Sequence, residues 1–429
     1  MADLRPFKAM RYDTSIAGEA AGLVSPPYDV VADADRAELY GRSGYNISHI
    51  DFGPDQTGDG PNENRYTRAR RDIEAWLHHG ALKVDAEQRL YVYDQEFELD
   101  GRRLRRRSVF GRLRLEEWEK GIVLPHEVTG AGAKADRLNL LQATRVHLSP
   151  IMALYRPEGV TQIDDEDLEA PVFEAVLPTE IHTLSPLKTE VAHAFCVALA
   201  DHKLYVADGH HRYETALNYR NERRNAAGIW TGEEPENFIL AAVVAANDSG
   251  LVVLPTHRLV KLEPFRIQLR NLRLYDLDDA GVASESNIDA LVARMKRVGG
   301  PAFGAIGLEP GRLHLLTPRD VEAVVRRTPP DRARQWRQLD VTLLQYTVLP
   351  AIGFDDNTEH IDYTEHHQHA ASAVASGEWD VALLLNPTPL KQVFACADVG
   401  ERMPRKSTFF YPKLGTGVVM LPLDEAGPG

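Results

Sequence analysis

Residues 208–212, with the sequence DGHHR, place four ionisable side chains beside one glycine, between the apolar run KLYVA and the helix-forming run YETALNYR. This order predicts a buried strand, a tight turn and a helix. The first amides of a helix lack intrahelical acceptors and lie at the positive end of the helix dipole, so this turn favours phosphate. Gly209 lets a ligand approach the backbone, and Arg212, with His210 and His211, can add charge-assisted hydrogen bonds.

Asp208 opens this turn, and two chemical roles suit its carboxylate. It could hold a magnesium ion against phosphate oxygens, or it could accept a proton from an attacking hydroxyl group. The alternative is structural: Asp208 caps the helix and the two histidines face solvent. We predict a phosphate site in which Asp208 and His210 are catalytic candidates and Asp208 is also a candidate metal ligand.

A second cluster lies in the segment LPHEVTGAGAKADRLNLLQATR. Lys134 and Arg137 could meet nucleotide phosphates together with His126, and Glu127 could bind magnesium or a substrate amine. The spacing is not the His-Glu-x-x-His of a zinc protease, because no second histidine follows one turn later. The alternative is a surface loop followed by a helix that is capped at Asp136.

The segment VSPPYDV forms a third candidate, since two prolines fix an extended backbone and hold Tyr28 and Asp29 in place. Asp29 is a candidate catalytic base or a ligand for a substrate amine, because a carboxylate near the acceptor hydroxyl orients it for phosphoryl transfer. The alternative is a plain turn.

Two further basic segments, LPTHRLV and MPRKSTFFYPK, could close a phosphate pocket. Their candidate phosphate-binding residues are His257, Arg258 and Lys406. For each of these the alternative is a purely structural role.

The surrounding patterns predict the elements that position these residues. Asp100-Gly101 predicts a two-residue hairpin turn between the alternating runs RLYVYDQEFEL and RRSVFGRLRLEEW. The basic segment RRLRRRS beside that turn predicts a solvated edge strand with charges that prevent aggregation. FILAAVVAA and VALLLN predict buried strands, too short to span a membrane, and ARQWRQLDVTLLQYTVLPAIG predicts one amphipathic helix.

The composition limits the classes of protein to consider. The 429 residues are 43% hydrophobic and carry a formal charge of −14, which is globular composition and disfavours nucleic acid or an anionic membrane as partner. Two cysteines provide no disulfide framework, and the start is not that of a signal peptide, so we expect a cytoplasmic protein. We expect an α+β fold with three parts: an N-terminal α+β lobe (1–160), a central core with the DGHHR turn (161–263) and a C-terminal α/β lobe (264–429).

The segment ADGHHRYETA resembles the strand, turn and helix signature of the ParB and sulfiredoxin-like superfamily. From about residue 5 to about residue 417, the chain as a whole resembles a prokaryotic family of unknown function placed near that superfamily. The segments that carry this likeness are RPFKAMRYD, VSPPYDV, YNISHID, PHEVT with KADRLNLL, SPIMALY, ADGHHRYETA, LPTHRLV and MPRKSTFFYPKLGTG.

This resemblance implies a mixed-sheet core of ParB/sulfiredoxin-like type and a nucleotide as ligand. Relatives use the turn for ATP or CTP, and free-serine kinases of the superfamily carry an Asp-Gly-His-x-Arg turn. Asp208, Gly209, His210 and Arg212 match that pattern. His210 stands where sulfiredoxin has its catalytic cysteine, which argues against peroxiredoxin repair.

The resulting hypothesis is a nucleotide-dependent small-molecule phosphotransferase with ATP or ADP and Mg²⁺ as cofactors. Its acceptor would be a hydroxyl amino acid such as free serine, or the enzyme would run the reverse reaction from phosphoserine. The alternatives are a nucleotide-binding regulatory protein without turnover, and a phosphatase or nuclease of the same superfamily. The expected partners are a nucleotide and a small-molecule substrate, and we do not expect the protein to bind a membrane. The sequence does not indicate an oligomeric state.

Overall fold

The structure is a computed structural model that describes residues 1–128, 132–262, 267, 269–354 and 357–424. The strands are β1 (Leu4–Arg5), β2 (Met10–Tyr12), β3 (Leu82–Val84), β4 (Tyr91–Leu99), β5 (Arg102–Arg114), β6 (Val123–Pro125), β7 (Val146–His147), β8 (Ile151–Tyr155), β9 (Phe173–Val176), β10 (Glu180–Pro186), β11 (Leu204–Asp208), β12 (Phe238–Ala245), β13 (Val252–Leu254), β14 (His257–Val260), β15 (Tyr275–Val282), β16 (Phe303–Ile306), β17 (Arg312–Pro318), β18 (Ile361–Thr364), β19 (Val381–Leu384), β20 (Phe409–Tyr411) and β21 (Leu421–Pro422).

The α-helices are α1 (Thr14–Ala17), α2 (Asp33–Arg42), α3 (Ser48–Asp51), α4 (Arg65–His78), α5 (Gly132–Thr144), α6 (Thr189–Leu199), α7 (His210–Ala226), α8 (Glu285–Arg297), α9 (Val321–Val325), α10 (Arg334–Arg337), α11 (Asp340–Leu343), α12 (Leu349–Ile352), α13 (His367–Ala375) and α14 (Leu390–Asp398). Short turns of 3₁₀ helix occupy Ala20–Gly22, Trp118–Lys120, Asp165–Asp167, Pro235–Asn237, Leu269–Leu272 and Thr358–His360. A π-helical turn spans Leu344–Val348.

The chain forms two compact units. Unit 1 comprises Met1–Pro125, Thr129–Leu251 and Pro412–Gly429, and unit 2 comprises His126–Val128 and Val252–Tyr411. Helices and mixed or antiparallel sheets occur in both units, so the α+β class predicted from the sequence is confirmed. The division into three parts stays a prediction.

Unit 1 is organised around a large mixed sheet with the strand order β6-β11-β8-β12-β5-β4-β10-β9. The pairs β6–β11 and β8–β12 are parallel and the other pairs along this order are antiparallel, while β1 also pairs with β5. Strands β8, β11 and β12 are almost continuously apolar and buried, as expected for strands that are covered on both faces. Their side chains pack with the apolar faces of α6 and α7 in one core.

The hairpin predicted at Asp100-Gly101 is confirmed. β4 and β5 pair up to Leu99 and Arg102, and both turn residues have positive φ angles, 50° and 70°, as a type I′ turn requires. The segment RRLRRRS pairs with β4 alone, and its Arg102, Arg103 and Arg105 are exposed, as predicted for a solvated edge strand. Arg106 departs from this prediction, because its side chain is fully buried.

Unit 2 contains an antiparallel sheet with the order β15-β17-β16-β19-β14-β18. One face packs against α8 and α13, and the other packs against α10, α11, α12 and α14. The predicted single amphipathic helix is instead three short α-helices interrupted by the π-helical turn, with Pro350 in the first turn of α12. A proline has no N–H to donate and so favours such an interruption.

Among the described residues, every helix is too short or too polar to span a membrane.

Candidate functional site

The DGHHR segment of unit 1 lies where an interior strand meets a long helix. Strand β11 ends at Asp208, with a register shift against β8 between Val206 and Asp208. Gly209 then takes a left-handed conformation with φ of 85°, and α7 begins at His210. The predicted strand, turn and helix are therefore confirmed.

Gly209 is required at this turn for two reasons. Its φ angle is one that residues with a Cβ atom rarely adopt. A Cβ atom there would also lie 3.0 Å from Ile151 Cγ2 and 3.0 Å from Arg212 Nε. Gly209 is the residue that precedes the helix, and no side chain caps it. Asp208 consequently does not act as the cap of α7.

The Asp208 carboxylate is instead held between two cations. Arg212 Nη2 donates to Asp208 Oδ2 at 2.5 Å, and Lys413 Nζ donates to Asp208 Oδ1. Arg212 Nη1 also donates to Ser149 Oγ at 3.1 Å and to the carbonyl of Pro150. The three charged side chains are only 11–16% exposed. We call Asp208, Arg212 and Lys413 the Asp208 cluster.

The electrostatics of this cluster keep Asp208 ionised. Burial alone would raise the pKa of Asp208, but the adjacent Lys413 and Arg212 charges outweigh burial and hold the pKa of the carboxyl well below its usual range. His210 is buried in the first turn of α7, and its positive charge, when protonated, acts in the same direction. His211 follows it in the same turn of the helix.

The Lys413 backbone is anchored by a buried polar network. Arg106 donates to Gln95 Oε1 at 2.5 Å and to the Pro412 carbonyl at 2.7 Å. Gln95 Nε2 donates to the Lys413 carbonyl at 2.9 Å and to Glu180 Oε2 at 2.6 Å. Burial raises the pKa of the Glu180 carboxyl. This network therefore holds the backbone carbonyl groups of both Pro412 and Lys413 in place.

A second charged pair of unit 1 involves Arg137 on α5. Its guanidinium donates to Asp51 Oδ1 at 2.7 Å and to the Asp51 carbonyl at 2.8 Å, and it lies 4.0 Å from the centre of the Tyr28 ring. The other carboxylate oxygen, Asp51 Oδ2, is buried and has no hydrogen-bond partner among the described residues. Burial raises the pKa of Asp51, and the charges of Arg137 and Arg212 only partly oppose this rise.

The two charged pairs of unit 1 share one small cavity. Asp51, Arg137, Ser149 and Arg212 line a space of about 50 Å³. The structure thus brings the predicted residues Arg137 and Arg212 together. Asp29 lies on the exposed part of the VSPPYDV segment, next to Tyr28, whose pKa burial and the Asp29 charge raise to about 12.

A larger cavity of about 380 Å³ adjoins the Asp208 cluster. Its lining includes Ser25 and Pro26 of the VSPPYDV segment, the side of α2, Glu180, His182 and Lys413. Lys413 therefore belongs both to the Asp208 cluster and to the wall of this cavity. Burial, with the nearby Arg106 charge, lowers the pKa of His182 to about 4, so this imidazole is neutral near pH 7.

The remaining candidates, apart from Lys134, belong to unit 2. Glu127 accepts hydrogen bonds from the backbone N–H groups of Lys406 at 2.7 Å and Ser407 at 3.2 Å. Arg258 Nη2 donates to the Lys406 carbonyl at 3.0 Å, and His126 Nε2 lies 2.8 Å from Thr408 Oγ1. These candidates therefore form a set of their own within unit 2.

His257 and Lys134 belong to different units. His257 is buried in β14, where its Nδ1 accepts a hydrogen bond from Leu385 N at 3.2 Å, and burial, with nearby positive charges, lowers its pKa to about 3. Lys134 lies within α5, but its side chain is outside the described residues.

The predicted metal ligands, Asp208 and Glu127, belong to different units. Among the residues that the structure describes, no group of three or more His, Cys, Asp or Glu side chains is arranged to hold a metal ion. Each carboxylate already accepts hydrogen bonds from protein groups. The magnesium site stays a prediction.

Sequence reasoning missed Lys413, Asp51 and Arg106 as members of the site. Asp51 and Lys413 belong to the segments YNISHID and MPRKSTFFYPKLGTG, which carry the family resemblance. Nothing in these segments indicates which charged side chain each of the two residues contacts. Arg106 lies in a run of arginines that resembles an ordinary solvated segment.

Comparisons with solved structures give distant likenesses. A conserved hypothetical protein from Pyrococcus furiosus is 14% identical, with 74% of this chain and 97% of that chain covered and a TM-score of 0.33. A free serine kinase in complex with AMP is 14% identical, with 71% and 86% covered and a TM-score of 0.33. SbnI from Staphylococcus aureus, with a C-terminal truncation, is 11% identical, with 73% and 87% covered and a TM-score of 0.34. Scores this low do not establish a shared fold.

No curated protein matches the chain. A family model, described as protein of unknown function (DUF1015), matches residues 4–342, which is more than half of the sequence. The predicted relationship to a family of unknown function is thereby confirmed, whereas membership of the ParB and sulfiredoxin-like superfamily stays a prediction. The chain belongs to the DUF1015 family.

Proposed function

We propose that this protein is a nucleotide-dependent phosphotransferase that moves a phosphoryl group to the hydroxyl of a small molecule, with free serine or another hydroxyl amino acid as first candidate. The observation that carries the proposal is the position of Lys413. Its ammonium group pairs with Asp208 at the strand-to-helix turn and also lines the 380 Å³ cavity. A cation at this position can contact a phosphate at the turn and a substrate in the cavity.

The Asp208 cluster has the properties of a phosphate site. Two cations share one carboxylate, so the three side chains carry a net positive charge in a largely buried setting. The turn lies at the N-terminal end of the 17-residue helix α7, where the helix dipole favours an anion. Arg212 also lies directly at the turn, since its Nε is 3.0 Å from the position that a Cβ atom on Gly209 would take.

The low pKa of Asp208 bears on its role. A carboxylate that binds protons weakly is a poor acceptor for the proton of a hydroxyl group. Its stronger contribution is to hold Arg212 and Lys413 in fixed positions, where they stabilise the charge of the transferring phosphoryl group. Mg²⁺, when bound with the nucleotide, would further neutralise the phosphate oxygens, and Asp208 is the candidate ligand from this chain.

The 380 Å³ cavity suits the acceptor. Its volume is near the lower end of the range of about 300–1,000 Å³ for small-molecule sites. Its wall carries both acidic and basic groups, namely Asp35, Glu38, Glu180, Arg42 and Lys413. Groups of both signs match a zwitterion with an amine and a carboxylate. A hydroxyl oxygen of the acceptor would attack the terminal phosphorus, the bond to the bridging oxygen would break, and the shortened nucleotide would leave. Asp29, which is exposed, is the candidate acceptor for the hydroxyl proton.

A nucleotide-binding regulatory protein without turnover is the second candidate function. The observation in its favour is that both oxygens of the Asp208 carboxylate already accept hydrogen bonds from cations. A site of this kind binds phosphate without needing a free catalytic carboxylate. Product analysis separates the two candidates.

The test begins with thermal shifts in the presence of Mg²⁺ and ATP, ADP or CTP, followed by ³¹P NMR after addition of serine, threonine or other hydroxyl compounds. We expect one nucleotide to stabilise the protein and a new phosphate-ester signal to form with one acceptor. Lys413→Gln should abolish transfer. The matched control is Lys120→Gln, since Lys120 is 59% exposed and pairs with Glu116 elsewhere in unit 1.

Each outcome has a defined meaning. Stabilisation by a nucleotide without any phosphate ester would favour the regulatory function. If no nucleotide stabilises the protein, or if Lys413→Gln and Lys120→Gln behave alike, the Asp208 cluster is not the phosphate site and the proposal fails.

A further inference from the structure

Unit 2 contains a cavity of about 310 Å³ with an unusual concentration of positive charge. The arginines in its lining are Arg258, Arg332, Arg402 and Arg405. Among the described residues that line it, none is an aspartate or glutamate. Cavities normally balance their charges, because unpaired charge in a partly dehydrated space is unfavourable. Arginines grouped in this way can bind the negatively charged group of a ligand.

Arg258 is the strongest evidence for such a ligand. Its side chain is 4% exposed, and its guanidinium donates to the carbonyl groups of Thr256 and Lys406. In the part of the chain that the structure describes, it forms no ion pair with a carboxylate. Burial lowers the pKa of Arg258 to about 10, and the more distant charges of Tyr363 and Glu127 only partly offset this effect. A buried guanidinium bound mainly by neutral carbonyls is well suited to receive an external anion.

Aromatic rings accompany these cations. The Arg332 guanidinium lies 4.6 Å from the centre of the Trp336 ring, and the Arg258 guanidinium lies 5.3 Å from the centre of the Tyr363 ring. Both rings belong to residues that line the cavity. Glu401 Oε2 lies 3.3 Å from Arg332 Nη1 and neutralises part of the surplus. Arg258 and Arg405 add further positive charge beside these flat apolar surfaces.

We propose that this cavity binds a small planar organic anion, namely a carboxylate or a phosphate ester attached to an aromatic ring. The anionic group would meet the arginines and the ring would pack against the aromatic side chains. A volume of about 310 Å³ accommodates a molecule of one or two rings and not a folded partner. The proposal is independent of the phosphotransferase site, whose residues belong to unit 1.

The experiment is isothermal titration calorimetry of the full chain with 1-naphthyl phosphate, 1-naphthoate, inorganic phosphate and the uncharged 1-naphthol. The variants are Arg405→Gln and Arg332→Gln, of which the first changes an exposed residue and should leave the fold intact. Arg297→Gln is the matched control, because Arg297 is an exposed arginine of unit 2 that does not line this cavity. Melting temperatures establish that each variant is folded.

We expect at least one aromatic anion to bind, and to bind more tightly than 1-naphthol or inorganic phosphate. Each cavity variant should weaken binding about tenfold or more, as expected when one charged hydrogen bond is lost, while Arg297→Gln changes nothing. Preference for naphthyl phosphate or naphthoate would identify the anionic group.

Three results would overturn the proposal. The first is that no aromatic anion binds, and the second is that 1-naphthol binds as tightly as the anions. The third is that Lys413→Gln abolishes binding whereas Arg405→Gln and Arg332→Gln do not, since the probes would then occupy the Asp208 cluster of unit 1.

Discussion

Replacing Asp208 with asparagine preserves the shape of the side chain and removes the charge that holds Arg212 and Lys413. Loss of one partner from a buried ion pair costs about 3–5 kcal/mol, because the remaining charge is left without compensation. The side chains of the Asp208 cluster are 11–16% exposed and so are not fully buried. We therefore expect a loss of folding free energy at the lower end of this range, about 3 kcal/mol. At about 2–4 °C per kcal/mol, the melting temperature of Asp208→Asn should fall by about 6–12 °C at pH 7.

The pH dependence of this effect follows from the lowered pKa of Asp208. The folded protein binds this proton more weakly than the unfolded chain does. The stabilisation is therefore complete above the unfolded-state pKa of about 4, and it is lost progressively as the pH falls below that value. The difference between wild type and Asp208→Asn should be largest at pH 7 and should shrink at pH 3.

The assay is differential scanning calorimetry at both pH values, with Asp201→Asn as control because Asp201 is exposed in the turn after α6. Inorganic phosphate should raise the melting temperature of Asp208→Asn at least as much as that of wild type, since it supplies the missing negative charge. Phosphoryl transfer should fall at least about a hundredfold, because Arg212 and Lys413 lose the carboxylate that positions them to stabilise the transferring group. A variant as stable and as active as wild type would refute the electrostatic role of the cluster.

Two further substitutions test the turn and a buried carboxyl of unit 2. Gly209→Ala should lower the melting temperature and weaken nucleotide binding more than Gly101→Ala does. Both substitutions place alanine at a positive φ, but only a Cβ atom at residue 209 would lie 3.0 Å from Arg212 and Ile151. Equal effects of the two substitutions would contradict a packed turn at Gly209. Burial raises the pKa of Asp340 to about 6, so the folded protein binds this proton more tightly than the unfolded chain does. The protein therefore loses folding stability as the pH rises from about 4 to about 6 and the buried carboxyl must ionise. Asp340→Asn should therefore add up to about 3 kcal/mol at pH 7.5 and little at pH 4, by denaturant titration, and a gain that does not depend on pH would contradict this.

Local sequence patterns predicted the elements around the candidate site. The apolar run before Asp208 and the helix-forming run after Arg212 lie within a few residues of the turn, and the Asp100-Gly101 hairpin depends on two residues alone. Each of these features is determined by neighbours in the chain, so a single sequence suffices to predict it.

The partners within the site could not be predicted in this way. Lys413 and Asp208 are 205 residues apart, and Arg137 and Asp51 are 86 residues apart. Such contacts depend on how the strands are ordered in the sheet, which local patterns do not encode. The same reason explains Arg106, because its burial follows from the neighbours of β5 and not from the composition of its own segment.

The most direct test of the central claim is a crystal structure of the protein with its preferred nucleotide and Mg²⁺. We expect a nucleotide phosphate at the turn after β11, within hydrogen-bonding distance of Arg212 and Lys413, with the 380 Å³ cavity open beside it. A nucleotide bound elsewhere, with Lys413 and Asp208 paired as they are now and no phosphate at Gly209, would contradict it.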